Sequence, residues 1–168
     1  SRGLGDVYKR QLITGASRGI GKAIALNLGR MGIRIAGTST TQDGADSISE
    51  YLSEAGIGGG GYMLDVSEDN SVESCMLLIN KELGHPLIVV NNAGITRDNL
   101  LLRMKDTEWL DVINTNLNSL YRINKVAVKE MTKARWGRIV NISSVVGSSG
   151  NGGQTNYSAS KAGAEGFT

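Results

Sequence analysis

The chain has 168 residues, 40% hydrophobic and 20% charged, with 18 Lys and Arg against 16 Asp and Glu for a net charge of +2. That length fits one domain with a core of its own, and that balance excludes a disordered chain and offers no nucleic-acid or membrane surface. The 23 glycines follow no repeating period, which excludes collagen and solenoids, and a single Cys and a single His leave no intramolecular disulfide and no metal-ligand cluster.

Ser1 to Gln11 shows neither the apolar centre of a signal peptide nor a strand pattern, and it reads as a non-native or disordered leader. The functional domain is then 12–168. Its first element is the short apolar strand Leu12-Ile13, which runs into Thr14-Gly15-Ala16-Ser17-Arg18-Gly19-Ile20-Gly21. A helix follows on the pattern Ile20, Ala23, Ile24, Leu28. Glycines in a turn between a strand and a helix N-terminus let a pyrophosphate approach unpaired backbone N–H groups, and the helix dipole adds attraction. The spacing is G-x-x-x-G-x-G, and a glycine turn without a ligand is the plain alternative.

A second strand, Ile33 to Gly37, leads into Thr38-Ser39-Thr40-Thr41 with no acid before Asp43. An acid there holds a ribose 2′-hydroxyl, whereas a base accommodates a 2′-phosphate. With Arg18 at hand, NADP(H) is the expected cofactor. The spacing then predicts a helix over about 42–55, broken by Gly58-Gly59-Gly60-Gly61, and a strand Tyr62-Met63-Leu64 ending at Asp65-Val66. Ser67 to Asn70 starts a helix that reaches Leu83-Gly84, and Cys75 within it reads as a packed thiol. His85, beside Pro86, reads as a loop histidine without a partner. The apolar strand Leu87-Ile88-Val89-Val90 opens into Asn91-Asn92-Ala93-Gly94, and one long helix is expected from Asp106 to about Arg135. Strand Arg138 to Ile142 is followed by Ser143-Ser144 and by Asn156-Tyr157-Ser158-Ala159-Ser160-Lys161.

Alternating strands and helices imply a parallel sheet with a ligand crevice at the strand carboxyl ends. Gly15 to Gly21, Asp65, Asn92 to Gly94 and Ser143-Ser144 all follow strands and converge on that edge. Taken singly, Asp65 also fits a helix cap and Asn92 a turn brace. Tyr157 and Lys161, four apart on a helix, share a face. A free tyrosine, with a pKa of about 10, is a poor acid at neutrality unless a fixed cation favours its phenolate.

On these residues the chain resembles the short-chain dehydrogenase/reductase family from about Leu12 to Thr168, with Thr14-Gly15-x-x-x-Gly19-x-Gly21, Asn91-Asn92-Ala93-Gly94, Asn116, Ser144 and Tyr157-x-x-x-Lys161 in family order. Asn92 to Leu101, Val145-Val146-Gly147 and Gly150 to Gln154 resemble its 3-oxoacyl-acyl-carrier-protein reductases. The resemblance implies an α/β, Rossmann-like doubly wound parallel sheet. It implies Tyr157 as proton donor, Lys161 as its tuner and ribose contact, Ser144 rather than Ser143 as the carbonyl holder, and Asn116 as the residue positioning a relay water. Cofactor contacts fall to Gly15, Ser17, Arg18, Gly19, Ile20, Gly21, Thr40, Asp65, Val66, Asn92, Ala93, Gly94, Tyr157 and Lys161. An acyl-carrier protein is the implied partner, with Arg135 in the cluster Lys129, Lys133, Arg135, Arg138 as a candidate contact beside the crevice, and a homotetramer is the implied assembly. A sugar, steroid or other alcohol as substrate, or a non-catalytic nucleotide-binding module, are the alternatives. The lone Cys suits a cytoplasmic setting, and an organelle stays open because Ser1 is not a native start.

Two departures stand out. Lys9-Arg10-Gln11 replaces the apolar run expected in a central strand, which weakens pairing there. Family members also continue beyond the position of Thr168, so the chain reads as a C-terminally truncated piece with little or no turnover of its own.

Overall fold

The computed structural model describes residues 10–168; residues 1–9, most of the leader, lie outside the described residues. Strands β1 (Arg10–Ile13), β2 (Arg34–Ser39), β3 (Gly59–Met63), β4 (Ile88–Asn91) and β5 (Arg138–Asn141) form one parallel sheet in the order β3-β2-β1-β4-β5. The chain moves outward from β1 to β3, then crosses back to β4. The reversal lies between β1 and β4, where a doubly wound sheet opens a ligand crevice.

Among the described residues, seven α-helices accompany the sheet: α1 (Gly19–Arg30), α2 (Gln42–Glu54), α3 (Asp69–Glu82), α4 (Asp106–Ile113), α5 (Ser119–Ala134), the short α6 (Val146–Ser149) and α7 (Thr155–Phe167). Successive strand residues face opposite ways, so each strand feeds two cores. Leu12 and Val89 join Val72, Met76, Ile79 and Ile123 beneath α3 and α5. Ile13 and Val90 join Ile35, Ile48 and Leu52 beneath α1 and α2. The predicted Rossmann-like sheet is therefore present, with both faces covered.

Several local expectations change. β1 starts at Arg10, so Arg10 and Gln11 pair with Arg34 and Ile35 of β2 as its first two residues. Backbone pairing tolerates their polar side chains, and the cost falls on Gln11, 1% exposed with neither amide atom hydrogen-bonded. The strand expected at Tyr62 to Leu64 begins earlier, because most of the glycine run expected only to break the preceding helix belongs to β3: a Cβ at Gly59 would overlap the Ile35 carbonyl and one at Gly61 the Ala45 carbonyl. Only a bare backbone fits under α2 there. α1 is where it was expected, but its buried residues are Gly21, Ala25 and Gly29, and Ile20 is 63% exposed. Small residues four apart let this helix lie close on the sheet, which apolar periodicity alone does not reveal.

The single long helix is interrupted: a π-turn, Asn114–Asn118, separates α4 from α5. Cys75 is buried in the core, and desolvation pushes its thiol up to about 12, as suits an inert packed residue. His85 does have a neighbour: its Nε2 lies 3.6 Å from Glu130 Oε2. Among the described residues no helix is long and apolar enough to cross a membrane.

Candidate functional site

Three segments meet at the carboxyl ends of β1 and β4. Thr14, buried just past β1, offers its hydroxyl oxygen to the N–H groups of Asn92 (3.0 Å) and Ala93 (2.9 Å). Asn92 returns the link by donating its Nδ2 to the carbonyls of Thr14 (2.9 Å) and Gly15 (3.0 Å). The turn after β1 is thereby stitched to the loop after β4. Gly15 takes φ +65°, a left-handed backbone that glycine adopts without cost, and a Cβ on Gly21 would overlap the Gly15 carbonyl and lie 2.6 Å from Asn92 Nδ2. Tyr51 of α2 fixes the turn from behind by donating its hydroxyl to the Ala16 carbonyl at 2.9 Å, and burial pushes that phenol up to about 12, keeping it a neutral donor.

A cleft of about 520 Å³ opens over this turn. Gly15, Ser17, Arg18 and Thr40 line one side of it, Asp65 and Val66 another, and Asn92, Ala93 and Gly94 a third. Gly19, Ile20 and Gly21, also predicted, begin α1 beside it. The first turn of α1 holds no acidic residue, and Arg18 at its N-cap makes no capping bond with its side chain. Free N–H groups, the positive end of a helix and an uncommitted guanidinium together suit a phosphate-bearing ligand. Asp65 lines the cleft, as expected of a binding residue, but it does not cap the next helix: α3 begins at Asp69 with Glu68 as its N-cap, and Asp65 Oδ1 accepts from Ser67 N (2.9 Å) and Ser67 Oγ (2.6 Å) in the turn before it.

Of the catalytic candidates, Lys161 and Asn116 adjoin the cleft at Gly94. Lys161 is 6% exposed, donates its ammonium to the Ile142 carbonyl at 2.7 Å and lies 5.7 Å from the centre of the Tyr157 ring. Burial lowers its pKa from the usual lysine range. A Cβ built on Gly94 would stand 3.3 Å from Asn116 Oδ1 and 3.8 Å from Lys161 Nζ, so the cofactor-side loop, the π-turn and α7 come together at one point. Asn116 is buried with its amide fully used: Oδ1 accepts from Ile95 N (2.8 Å), and Nδ2 donates to Ile95 O (2.9 Å) and Ser160 Oγ (3.2 Å). The two serines differ. Ser143 turns its hydroxyl toward α7, 2.8 Å from Glu165 Oε1 and 3.2 Å from the Lys161 carbonyl. Ser144 is half-buried, its carbonyl accepting from Gly147 N at 2.9 Å.

One placement corrects the sequence reading. The basic cluster does not lie beside the crevice. Lys129 and Lys133 are on the last turns of α5, Arg135 is its left-handed cap and Arg138 begins β5, so all stand at the amino edge of the sheet, a strand length of roughly 10 Å from the carboxyl edge. Lys133 is paired with Glu130 at 2.7 Å, and Arg138 stacks on Trp136 at 5.0 Å. Arg135 is exposed. Conversely, Thr14, Tyr51, Asn156 and Ser160 were missed as contributors. Thr14 sits inside the glycine motif and Asn156 beside Tyr157, which was a usable signal; Tyr51 had none.

This sheet, with its crossover, glycine turn and helix-borne Tyr-Lys pair, is a Rossmann-like α/β fold, and the short chain dehydrogenase family model matches residues 9–168. The chain belongs to the short-chain dehydrogenase family. Over 160 residues, 95% of its length, it is 64% identical to the 3-oxoacyl-[acyl-carrier-protein] reductase FabG of Pseudomonas aeruginosa. The corresponding reductases of Vibrio harveyi and Escherichia coli are 56% and 54% identical. The chain spans about 65% of the length of these relatives.

Proposed function

We propose that the site serves the NADPH-dependent reduction of a 3-oxoacyl group, carried as a thioester on an acyl-carrier protein, to the 3-hydroxyacyl form. The observation that carries this reading is the meeting of buried Lys161 and buried Asn116 at Gly94, a residue of the cleft lining, with Tyr157 beside Lys161. Bound NADPH would supply the hydride. The glycine turn and the α1 N-terminus would hold its pyrophosphate, and Arg18 with Thr40 its 2′-phosphate. Asp65-Val66 would border the adenine, and Asn92 to Gly94 the nicotinamide side.

Tyr157 donates its phenolic proton to the substrate's carbonyl oxygen. Lys161, a cation held where little water screens it, favours the phenolate left behind and has two further N–H donors beyond the one on Ile142 for a ribose hydroxyl. Ser144 holds the carbonyl oxygen as charge develops on it; the engagement of Ser143 with α7 supports this choice. Since the Asn116 side chain is spent on Ile95 and Ser160, a relay water is positioned from the backbone of the π-turn, where the α-helical ladder is interrupted.

The test measures NADPH oxidation dependent on a 3-oxoacyl thioester, with NADH in parallel. Because the chain spans only about 65% of its relatives, two proteins are assayed: the chain itself, and the chain joined to the remaining residues of the Pseudomonas aeruginosa relative. Binding of NADPH in preference to NADH, with thioester reduction, is the expected result. Reduction of simple ketones or alcohol oxidation in place of thioester reduction would overturn it.

Arg135 is proposed as a contact for the acidic carrier. Its place at the amino edge gives it no reach to the reacting carbonyl, so its role is steering over a screening length of about 8 Å. Arg135→Glu should lower kcat/KM for carrier-bound substrate several-fold and leave a short thioester analogue unaffected; equal losses on both would discard the contact. The relatives' names support a carrier-borne substrate, and a homotetramer is proposed for the whole protein.

A further inference from the structure

We infer that Asn156 is the positioning residue of this site, holding Tyr157 in register with the cofactor-side loop; the inference rests on the reaction proposed above. Asn156 is 0% exposed in the first turn of α7. Its Nδ2 donates to two carbonyls on different elements, Arg97 at 2.9 Å in the loop after β4 and Glu108 at 3.0 Å in α4. Its Oδ1 accepts the N–H of Tyr157 at 2.8 Å, one of the donors that the start of a helix leaves without an intrahelical partner.

The bonds continue into a ring. Two residues before Arg97, Ile95 is gripped through both its N–H and its carbonyl by Asn116. Asn116 donates onward to Ser160 Oγ at 3.2 Å, and Ser160 donates to the Tyr157 carbonyl at 2.7 Å. The path therefore leaves Tyr157 by its N–H and returns to it by its carbonyl, passing through the loop that follows Asn92-Ala93-Gly94. Both backbone polar groups of the proton donor are tied to the segment bordering the nicotinamide side.

Only an amide does this. Asparagine brings two donors for two carbonyls and one acceptor for an N–H in a short side chain. Serine supplies one donor, aspartate would set a carboxylate against two carbonyl oxygens, and glutamine is a methylene too long for a buried, filled site. The function of the ring follows from how steeply proton transfer depends on geometry: a displacement of about 1 Å at a reacting group can cost around 100-fold in rate.

Asn156→Ser and Asn156→Asp are the test variants, with Asn27→Ala, an exposed asparagine in α1 whose side chain donates to the Ala23 carbonyl of its own helix, as control. Both Asn156 variants should lose turnover by about 10- to 100-fold with NADPH affinity and substrate KM within twofold. Their solvent isotope effect on kcat should rise, because transfer from a displaced phenol becomes limiting. The control should match the unsubstituted protein. A folded variant whose kcat stays within twofold, or whose loss disappears once normalised to the folded fraction with no change in isotope effect, overturns the proposal. If neither variant folds, the ring serves the fold alone and the proposal falls. If the unsubstituted proteins reduce no thioester, the functional reading fails on its own, and amide hydrogen exchange still decides the ring. Exchange at Ile95 and Tyr157 should then accelerate together in Asn156→Ser, and independent behaviour would disprove the coupling.

Discussion

Tyr157→Phe is expected to bind NADPH as the unsubstituted protein does and to lose turnover by about 100- to 10,000-fold, the range for removal of a positioned general acid. The substitution removes one hydroxyl and little else. Tyr157 is half-buried, and phenylalanine keeps the ring, its face toward the Lys161 ammonium and the packing of α7. None of the residues lining the cleft over the glycine turn is altered, since Tyr157 is not among them. The effect should therefore fall on kcat and not on cofactor affinity, as for an interaction made only in the transition state. NADPH oxidation driven by a 3-oxoacyl thioester gives the rate, and the fluorescence of bound NADPH gives the affinity. A loss under tenfold would remove Tyr157 from the role of proton donor. A parallel loss of affinity would instead assign it to binding.

The parts of this site that were legible in the sequence depend on local chemistry. A turn that must bring backbone to a phosphate needs glycine, so Gly15 to Gly21 announce themselves. A phenol and an ammonium on one helical face need a four-residue spacing, so Tyr157 and Lys161 do too. What stayed hidden depends on contacts between distant segments. Nothing local says that Asn156 meets Arg97 and Glu108, or that Tyr51 reaches Ala16, because those pairs are joined only by the tertiary fold. The same cause explains the fold-level differences. Gly59 and Gly61 read as breakers until the Ile35 and Ala45 carbonyls occupy the space that their side chains would need. The stripe Gly21, Ala25, Gly29 reads as weak periodicity until α1 lies against the sheet. The misplacement of the basic cluster has a different origin: charge pattern shows that four bases cluster, and only the direction of β5 shows at which edge.

Gln11→Leu is expected to raise stability by about 2 kcal/mol, an unusual direction for a substitution in a central strand. The sequence marks this position as a departure, and the structure gives its physical cost. Gln11 aligns with Ile35 of β2 on one side and Ile88 of β4 on the other, and strand alternation puts it on the face of Ile13, over the core beneath α1 and α2. Its amide is thus set between two isoleucines, with neither Oε1 nor Nε2 hydrogen-bonded. An unsatisfied buried polar group costs about 1–3 kcal/mol, and leucine fills a similar volume without it, with a packing loss that should stay below about 1.5 kcal/mol. For a chain of this size the gain corresponds to a rise in unfolding midpoint of roughly 4–8 °C. Gln11→Glu runs the other way, because a carboxylate there has to be protonated or unpaired, and it should destabilise by several kcal/mol. Thermal and denaturant unfolding of the two variants decide the matter. An unchanged midpoint in Gln11→Leu would mean that the amide is satisfied in solution. Because β1 ends at Ile13 and hands the chain directly to Thr14, the substitution also separates strand stability from ligand binding: NADPH affinity should stay constant while the midpoint rises, since Thr14, Gly15 and Asn92 hold the turn through bonds that do not involve Gln11.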